Sequence, residues 1–105
     1  VKMKTARVID CKFVEKSKKL LQFTLDCGEA RPRTILSGIR KWYSEPEKLI
    51  GRTVVIAANL APRKIAGIES QGMILSSITD DGEGETLSML TVMEPDSIPG
   101  GSEIG

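Results

Sequence analysis

Apolar residues in this chain occur only in alternating or unbroken runs about the length of a single β-strand. Residues 21–26 alternate apolar and polar side chains, which is typical of a strand with one buried face. The longest unbroken apolar run, Val-Val-Ile-Ala-Ala at 54–58, suits a strand buried on both faces and is far too short to cross a bilayer. The same criteria predict the remaining strands at residues 5–14, 33–39, 73–79 and 86–93.

One short helix is predicted between the third and fourth strands. Ser44 is placed to cap it, Pro46 stands in its first turn, and Gly51 follows its end at Leu49. The stretch 59–72 is predicted to be irregular. This inventory predicts an all-β protein with a five-stranded OB-fold barrel, although another small β-barrel fits the pattern as well. The predicted core consists of Val8, Leu21, Phe23, Leu25, Ile35, Val54, Ile56, Ile74, Leu75 and Leu90.

The length of 105 residues predicts one domain, with the barrel at residues 1–94 and a C-terminal extension at 95–105. The extension is rich in Pro and Gly but keeps Ile98 and Ile104. These isoleucines are expected to pack against the barrel or against a partner subunit, and the alternative is a frayed terminus. Because the chain starts at Val1 rather than Met, we expect it to be a piece of a longer protein.

The charges of this chain are divided along its length. All fifteen Lys and Arg residues lie between Lys2 and Lys64 with only six acids, a balance of +9. Residues 65–105 carry eight acids and no Lys or Arg, a balance of −8. This division indicates that one face of the fold meets a polyanion, and the alternative is a solvated surface whose charges happen to be separated.

Residue types that commonly carry catalysis or bind metals are scarce. There is no histidine, and Cys11 and Cys27 lack a CxxC spacing, so we expect reduced core thiols, although a disulfide is formally possible. Asp80 and Asp81 precede Gly82 in a predicted turn, which argues against a hydrolase or transferase. We therefore predict no catalytic residue, no metal, no cofactor and no small-molecule substrate. The chain shows no signal-peptide layout, so a cytoplasmic location without membrane contact is expected.

Aromatic residues are few, which limits the kind of nucleic acid that a basic face would bind. Of the four rings, Phe23 is predicted to lie in the core, and Trp42 and Tyr43 are predicted to cover one end of the barrel. Proteins that bind single strands usually expose several stacking rings. The composition therefore favours recognition of folded RNA through its shape and backbone.

Three stretches of this sequence resemble one family. They are NLAPRKIAGIESQGMIL at 59–75, TILSGI at 34–39 and EKLIGRTVV at 47–55. They resemble the tRNA-binding domain appended to bacterial methionyl-tRNA synthetases, which also occurs in free-standing tRNA-binding proteins and in endothelial monocyte-activating polypeptide II. The resemblance implies an OB-fold, a C-terminal extension, homodimerisation, and binding to the outer corner of tRNA without anticodon specificity. The turn at 14–19 is shorter than the family's usual first loop, so Lys18 and Lys19 are expected to replace some of its RNA contacts.

The candidate tRNA-binding residues combine this resemblance with the chemistry of phosphate recognition. Arg63 and Lys64 follow Pro62 and are suited to neutralising phosphates. Asn59 suits contact with a base edge or a 2′-hydroxyl, or else an internal cap of its own loop, and Met73 suits a position beneath a base or else in the core. The full set is Lys18, Lys19, Arg31, Arg33, Asn59, Arg63, Lys64, Ser70, Gln71 and Met73.

The expected function is structure-specific, sequence-independent tRNA binding by a C-terminal appendage of methionyl-tRNA synthetase, which aids tRNA capture and dimerisation. The alternative is a module for protein interaction and dimerisation whose RNA affinity is incidental.

Overall fold

The computed structural model describes all 105 residues, and its regular secondary structure is almost entirely antiparallel strands. The strands are β1 (Met3–Phe13), β2 (Leu21–Asp26), β3 (Arg33–Ser37), β4 (Thr53–Ala57), β5 (Arg63–Ile65), β6 (Ile68–Ser70), β7 (Met73–Ile74), β8 (Ser76–Asp80) and β9 (Glu85–Met89). One 3₁₀ turn, Pro46–Leu49, lies between β3 and β4. No helix of the structure is long and apolar enough to cross a membrane.

The main sheet has the strand order β3-β2-β1-β4-β7 and curls into a nearly closed barrel. Its long central strand, β1, pairs with β4 through residues 3–7 and with β2 through residues 7–13. A register shift between Val8 and Asp10 marks a bulge near the point where β1 changes partner. A bulge bends its strand and increases its twist, which brings the two edges of a five-stranded sheet towards each other. The predicted all-β OB-type barrel is confirmed.

The core lies inside this barrel and follows the predicted alternation of its strands. Leu21, Phe23 and Leu25 are all fully buried on the inner face of β2. Eight of the ten predicted core residues are buried, namely Val8, Leu21, Phe23, Leu25, Ile35, Val54, Ile56 and Ile74. Leu75 is only half-buried, and the prediction for Leu90 is wrong because its side chain is 40% exposed. Leu90 follows β9, and that strand pairs with β8 outside the barrel.

Three local predictions need correction. The helix is a single 3₁₀ turn whose N-cap residue is Glu45, so Ser44 does not cap it. The stretch 59–72 is not irregular, because β5 and β6 form a hairpin within it. The strand predicted at 73–79 is two strands, β7 in the barrel and β8 in a separate hairpin with β9. The two strand errors have one cause: β5, β6 and β7 have only two or three residues, too few to show a period.

The C-terminal extension packs on its own barrel, so the alternative of a frayed terminus is wrong. The N-terminal half of β1 has β4 on one side, and the extension occupies the other side. The Thr5 amide donates to the Ser102 carbonyl at 2.9 Å, and the Gly101 amide donates to the Thr5 carbonyl at 2.7 Å. An unpaired strand edge invites pairing with another chain, and the extension covers this one.

We expect Gly100→Ala to loosen this packing. A Cβ atom at Gly100 would overlap the carbonyl oxygen of Asp26, and forcing atoms into a packed region typically costs about 1–3 kcal/mol. The matched control is Gly38→Ala, because a Cβ at Gly38 meets no atom within 4 Å. Urea denaturation of both variants provides the measurement. Equal free energies of unfolding for the two variants would contradict the tight packing of the extension.

Candidate nucleic-acid interface

The hairpin of β5 and β6 presents the two basic residues with the strongest sequence signal. Arg63 and Lys64 are both exposed on β5, and neither forms an ion pair. Ala66 and Gly67 form the hairpin tip with φ angles of 51° and 79°. Two successive positive φ angles are the mark of the two-residue turn that joins twisted antiparallel strands. The two basic side chains therefore stand on a paired strand, where their backbone is fixed, and not in a free loop.

Ser70 and Gln71 join the two edges of the barrel. The Leu36 amide donates to the Ser70 hydroxyl at 3.0 Å, and the Thr34 amide donates to the Gln71 side-chain oxygen at 2.9 Å. The Gln71 amide in turn donates to the Thr34 carbonyl at 2.8 Å. β3 and β7 share no ladder of backbone hydrogen bonds, so these bonds replace the ladder at the closing seam.

Arg33 completes the same seam. Its Nη1 donates to the carbonyl oxygens of Ala58 at 2.7 Å and Gln71 at 2.9 Å. Its Nε and Nη2 donate to the two carboxylate oxygens of Glu29 at 2.7 Å and 2.9 Å. This paired contact lowers the pKa of Glu29 and raises the pKa of Arg33. All three nitrogen atoms of the Arg33 guanidinium therefore donate hydrogen bonds within the protein.

The placement of these three residues separates them from the other candidates. Ser70 is only 3% exposed and its hydroxyl is already bonded, so a direct contact to phosphate is disfavoured. Gln71 and Arg33 are half-buried, and the Gln71 side-chain oxygen and the Arg33 guanidinium are bonded within the protein. We therefore assign Arg33, Ser70 and Gln71 to positioning of the interface. Their contact with tRNA stays a prediction that the structure does not favour.

The remaining candidates are exposed but do not all lie together. Met73 is exposed, so the alternative that it lies in the core is wrong. The Asn59 side-chain oxygen accepts a hydrogen bond from the Lys2 amide at 2.7 Å, which is an internal contact of the kind that the alternative for this residue describes. Arg31 lies before β3, and Lys18 and Lys19 lie at the β1–β2 turn.

Three clefts lie around the hairpin and the residues that flank it. One of about 460 Å³ is lined by Arg31, Arg33, Leu60, Pro62 and Gln71 among others. A second of about 410 Å³ is lined by Leu36, Arg63, Ser70 and Met73 among others. A third of about 490 Å³ lies between the hairpin tip and the end of β1, and its wall includes Lys12 and Lys16. These two lysines are not among the predicted tRNA-binding residues, and their only signal in the sequence is their place on either side of the end of β1.

The two cysteines are not part of the candidate interface. Both are free and buried. Burial raises the pKa of Cys11 to about 12 and that of Cys27 to about 11. Both thiols are therefore protonated at neutral pH, a form that is a weak nucleophile.

Comparison with known protein families gives one match that covers nearly the whole chain. The family model described as "Putative tRNA binding domain" matches residues 3–102. This match assigns the residues to a tRNA-binding domain, which is non-catalytic.

Similar curated proteins are methionine–tRNA ligases. The ligase of Enterococcus faecalis is 49% identical over 104 residues, which cover 99% of this chain and 15% of the ligase. The ligase of Oceanobacillus iheyensis is 51% identical over 104 residues, with the same coverage. The chain thus spans about 15% of the length of these relatives.

Solved structures show the same fold. A methionyl-tRNA synthetase-related protein from Pyrococcus horikoshii superposes with a TM-score of 0.85 at 33% identity, covering 99% of this chain and 89% of that one. The chaperone CsaA from Bacillus anthracis superposes with a TM-score of 0.81 at 23% identity, covering 99% of this chain and 90% of that one. At that identity, the likeness to the chaperone shows the fold alone.

We expect Ser70→Ala to destabilise the barrel by about 1–3 kcal/mol, because it leaves the Leu36 amide buried without an acceptor. Ser77→Ala is the control, since Ser77 is exposed on β8 and makes no side-chain hydrogen bond. The free energy of unfolding in urea is the measurement. A Ser70→Ala variant as stable as Ser77→Ala would show that the seam does not depend on this hydroxyl.

Proposed function

The chain belongs to the tRNA-binding domain family, and from that premise we propose that it binds folded tRNA through its shape and phosphate backbone, independently of nucleotide sequence. The observation that carries this proposal is the hairpin of β5 and β6, which holds exposed, unpaired basic side chains on a fixed backbone. Fixed cations suit a fixed arrangement of phosphates, which folded RNA has and an unstructured strand lacks.

Phosphate neutralisation supplies the binding energy in this proposal. Arg63 and Lys64 follow one another on β5, so their side chains leave opposite faces of the strand. Each is placed to meet a different phosphate and to release the cations that the phosphate holds. Lys18 and Lys19 at the β1–β2 turn and Arg31 near β3 extend the basic surface.

The positions of two aromatic side chains support recognition by shape. Trp42 donates from Nε1 to the Glu85 carbonyl at 3.1 Å, and the Tyr43 hydroxyl accepts from the Met89 amide at 2.9 Å. Both rings pack against the core beneath the hairpin of β8 and β9. Phe23 is fully buried. Trp42 and Tyr43 are half-buried, so the chain offers no row of exposed rings on which a single strand could stack.

The relatives suggest the setting in which the domain works. The proteins that share about half of its residues are methionine–tRNA ligases of which it spans about 15%. We propose that it is the non-catalytic appendage of such a ligase, where a second tRNA contact raises the effective concentration of tRNA at the catalytic part. A cytoplasmic location is part of this proposal, and two free, buried thiols agree with a reducing compartment.

Homodimerisation is the second part of the proposal. Met3 and Ile104 are each 38% exposed and adjacent, since the Ile104 amide donates to the Met3 carbonyl at 3.1 Å. Val1 is also exposed beside them along the same cleft. These side chains form an apolar patch at the meeting point of the extension and β1, and a second copy of the chain would cover it. If dimerisation is the main activity, RNA affinity is incidental, and the RNA measurements below distinguish the two.

Replacing both Arg63 and Lys64 by Ala should weaken the binding of all tRNAs to a similar degree. It should also flatten the dependence of log K on log salt by about one to two units, because one or two phosphate contacts are lost. Filter-binding titrations at several salt concentrations, with intact tRNA and with an unstructured RNA of equal length, provide the measurement.

The control is replacement of Glu83 and Glu85, which are exposed in the hairpin of β8 and β9, by Ala. This pair should change binding little. Equal affinity of the wild type for tRNA and for the unstructured RNA would rule out shape recognition. Wild-type affinity in the Arg63/Lys64 variant would remove the hairpin from the interface.

Sedimentation equilibrium should give twice the monomer mass of 11.4 kDa for the wild type at micromolar concentration. Ile104→Asp should return the monomer mass, because a charge in an apolar interface lacks a partner. Ile78→Asp is the control, since Ile78 is exposed on β8, away from the patch. A monomeric wild type would refute the dimer, and dissociation by Ile78→Asp alone would place its interface on the hairpin of β8 and β9.

A further inference from the structure

Building on the proposed RNA-binding function, we propose that Phe13 and Arg40 form a stacking platform for one unpaired nucleobase of the folded RNA. Neither residue belongs to the interface described above. Both lie beside the β1–β2 turn, where Phe13 ends β1 and Arg40 follows β3.

Phe13 is the one exposed aromatic ring of the chain, since Phe23 is buried and Trp42 and Tyr43 are half-buried. It is 43% exposed, whereas Phe23 on the neighbouring strand, which pairs with Cys11, is fully buried. Fully burying a Phe side chain stabilises a fold by about 1.5–3 kcal/mol, and Phe13 forgoes much of that gain. Exposed rings of this kind on basic surfaces are suited to stacking with bases.

Arg40 places its guanidinium over this ring. Its Cζ atom lies 3.8 Å from the centre of the Phe13 ring. Its Nη1 donates to the Ser17 carbonyl at 3.1 Å, and its backbone amide donates to the Lys19 carbonyl at 3.2 Å. The first bond holds the guanidinium and the second holds the backbone that carries it. Aromatic rings and guanidinium planes are the two protein surfaces on which unstacked RNA bases commonly stack.

The surroundings of the pair suit a nucleotide. Phe13 lines the cleft of about 490 Å³ between the end of β1 and the tip of the β5–β6 hairpin, a size within the usual range of small-ligand sites. Lys12 and Lys16 line the same cleft and are placed to meet the phosphate of a bound nucleotide, while Glu15 is its one acid. Gln22 adds an amide that donates and accepts hydrogen bonds, as a base edge requires.

The opposite wall of the cleft belongs to the hairpin that carries Arg63 and Lys64. Ala66 and Gly67 form that wall, and Ala66 has the only positive φ angle among the non-glycine residues, at 51°. This conformation costs an alanine about 1 kcal/mol or more, yet it keeps a small side chain at the mouth of the cleft. Phe13 and the tip of the β5–β6 hairpin therefore face one cleft, and Arg40 supports the Phe13 ring. An RNA base that is unstacked from its neighbours, beside a phosphate bound by Arg63 or Lys64, would enter this cleft.

The experiment compares Phe13→Leu, Phe13→Tyr and Arg40→Lys with the wild type. Each protein is titrated by filter binding with intact tRNA and with a fully paired RNA hairpin of equal length, which offers almost no unstacked base. We expect Phe13→Leu to weaken tRNA binding about tenfold or more and to leave binding of the paired hairpin unchanged. Phe13→Tyr keeps a ring and should bind tRNA like the wild type. Arg40→Lys keeps the charge but loses the plane, and should weaken tRNA binding in the same direction as Phe13→Leu.

Two further measurements separate stacking from folding and from charge. Thermal melting of each variant shows whether the fold is kept, and Ile50→Ala controls for loss of an exposed apolar side chain elsewhere. The salt slope for tRNA should be unchanged in Phe13→Leu, because no phosphate contact is lost, in contrast to the Arg63/Lys64 variant.

The outcomes are distinct. The platform is refuted if Phe13→Leu binds tRNA like the wild type, if it weakens tRNA and the paired hairpin equally, or if Arg40→Lys behaves like the wild type. If the Arg63/Lys64 variant loses affinity while Phe13→Leu does not, only the platform is lost and tRNA binding stands. If the wild type binds neither RNA, the proposed function itself is wrong.

Discussion

The hydrogen bonds at the closing seam are the constraint on which the rest of this small barrel depends. Its last strand, β7, has only two residues, which pair with β4 and form no backbone ladder with β3. Side chains complete the seam instead, with Ser70 and Gln71 accepting from backbone amides of β3 and Arg33 donating to carbonyls on the other side. Buried backbone groups must be paired, so each of these side chains is as necessary as a strand residue.

This seam also positions the candidate interface. Ser70 ends β6 and Gln71 follows it, so the hairpin with Arg63 and Lys64 is fixed to the barrel at its base. Fixed side chains lose little freedom when they meet phosphates, which favours affinity for a rigid ligand. The stretch 59–75 that resembles the family therefore has two physical roles. Ser70 and Gln71 close the barrel, and Arg63 and Lys64 are placed to face the ligand.

The division of charge along the sequence is only in part a division in space. Asp80, Asp81, Glu83 and Glu85 lie at the tip of the separate hairpin of β8 and β9, whereas Glu69 lies across from Lys64 and Glu103 lies across from Lys4. The β8–β9 hairpin is held to the barrel by Leu87 and Met89, which pack against the core. A polyanion is attracted to one part of such a surface and repelled by another, which orients the encounter before contact.

The sequence by itself determined the strands with a clear period, most of the core, and the exposed basic pair. Alternation at 21–26 and the apolar run at 54–58 are local signals, and burial of one face follows from them directly. Tertiary structure alone decided which candidates face solvent. Ser70, Gln71 and Arg33 resemble ligand-binding residues in sequence, but their partners lie 34, 37 and 25–38 residues away, and no local pattern indicates those bonds. The sequence does not indicate the contact between Phe13 and Arg40 for the same reason, because side chains distant in sequence meet only when the barrel closes.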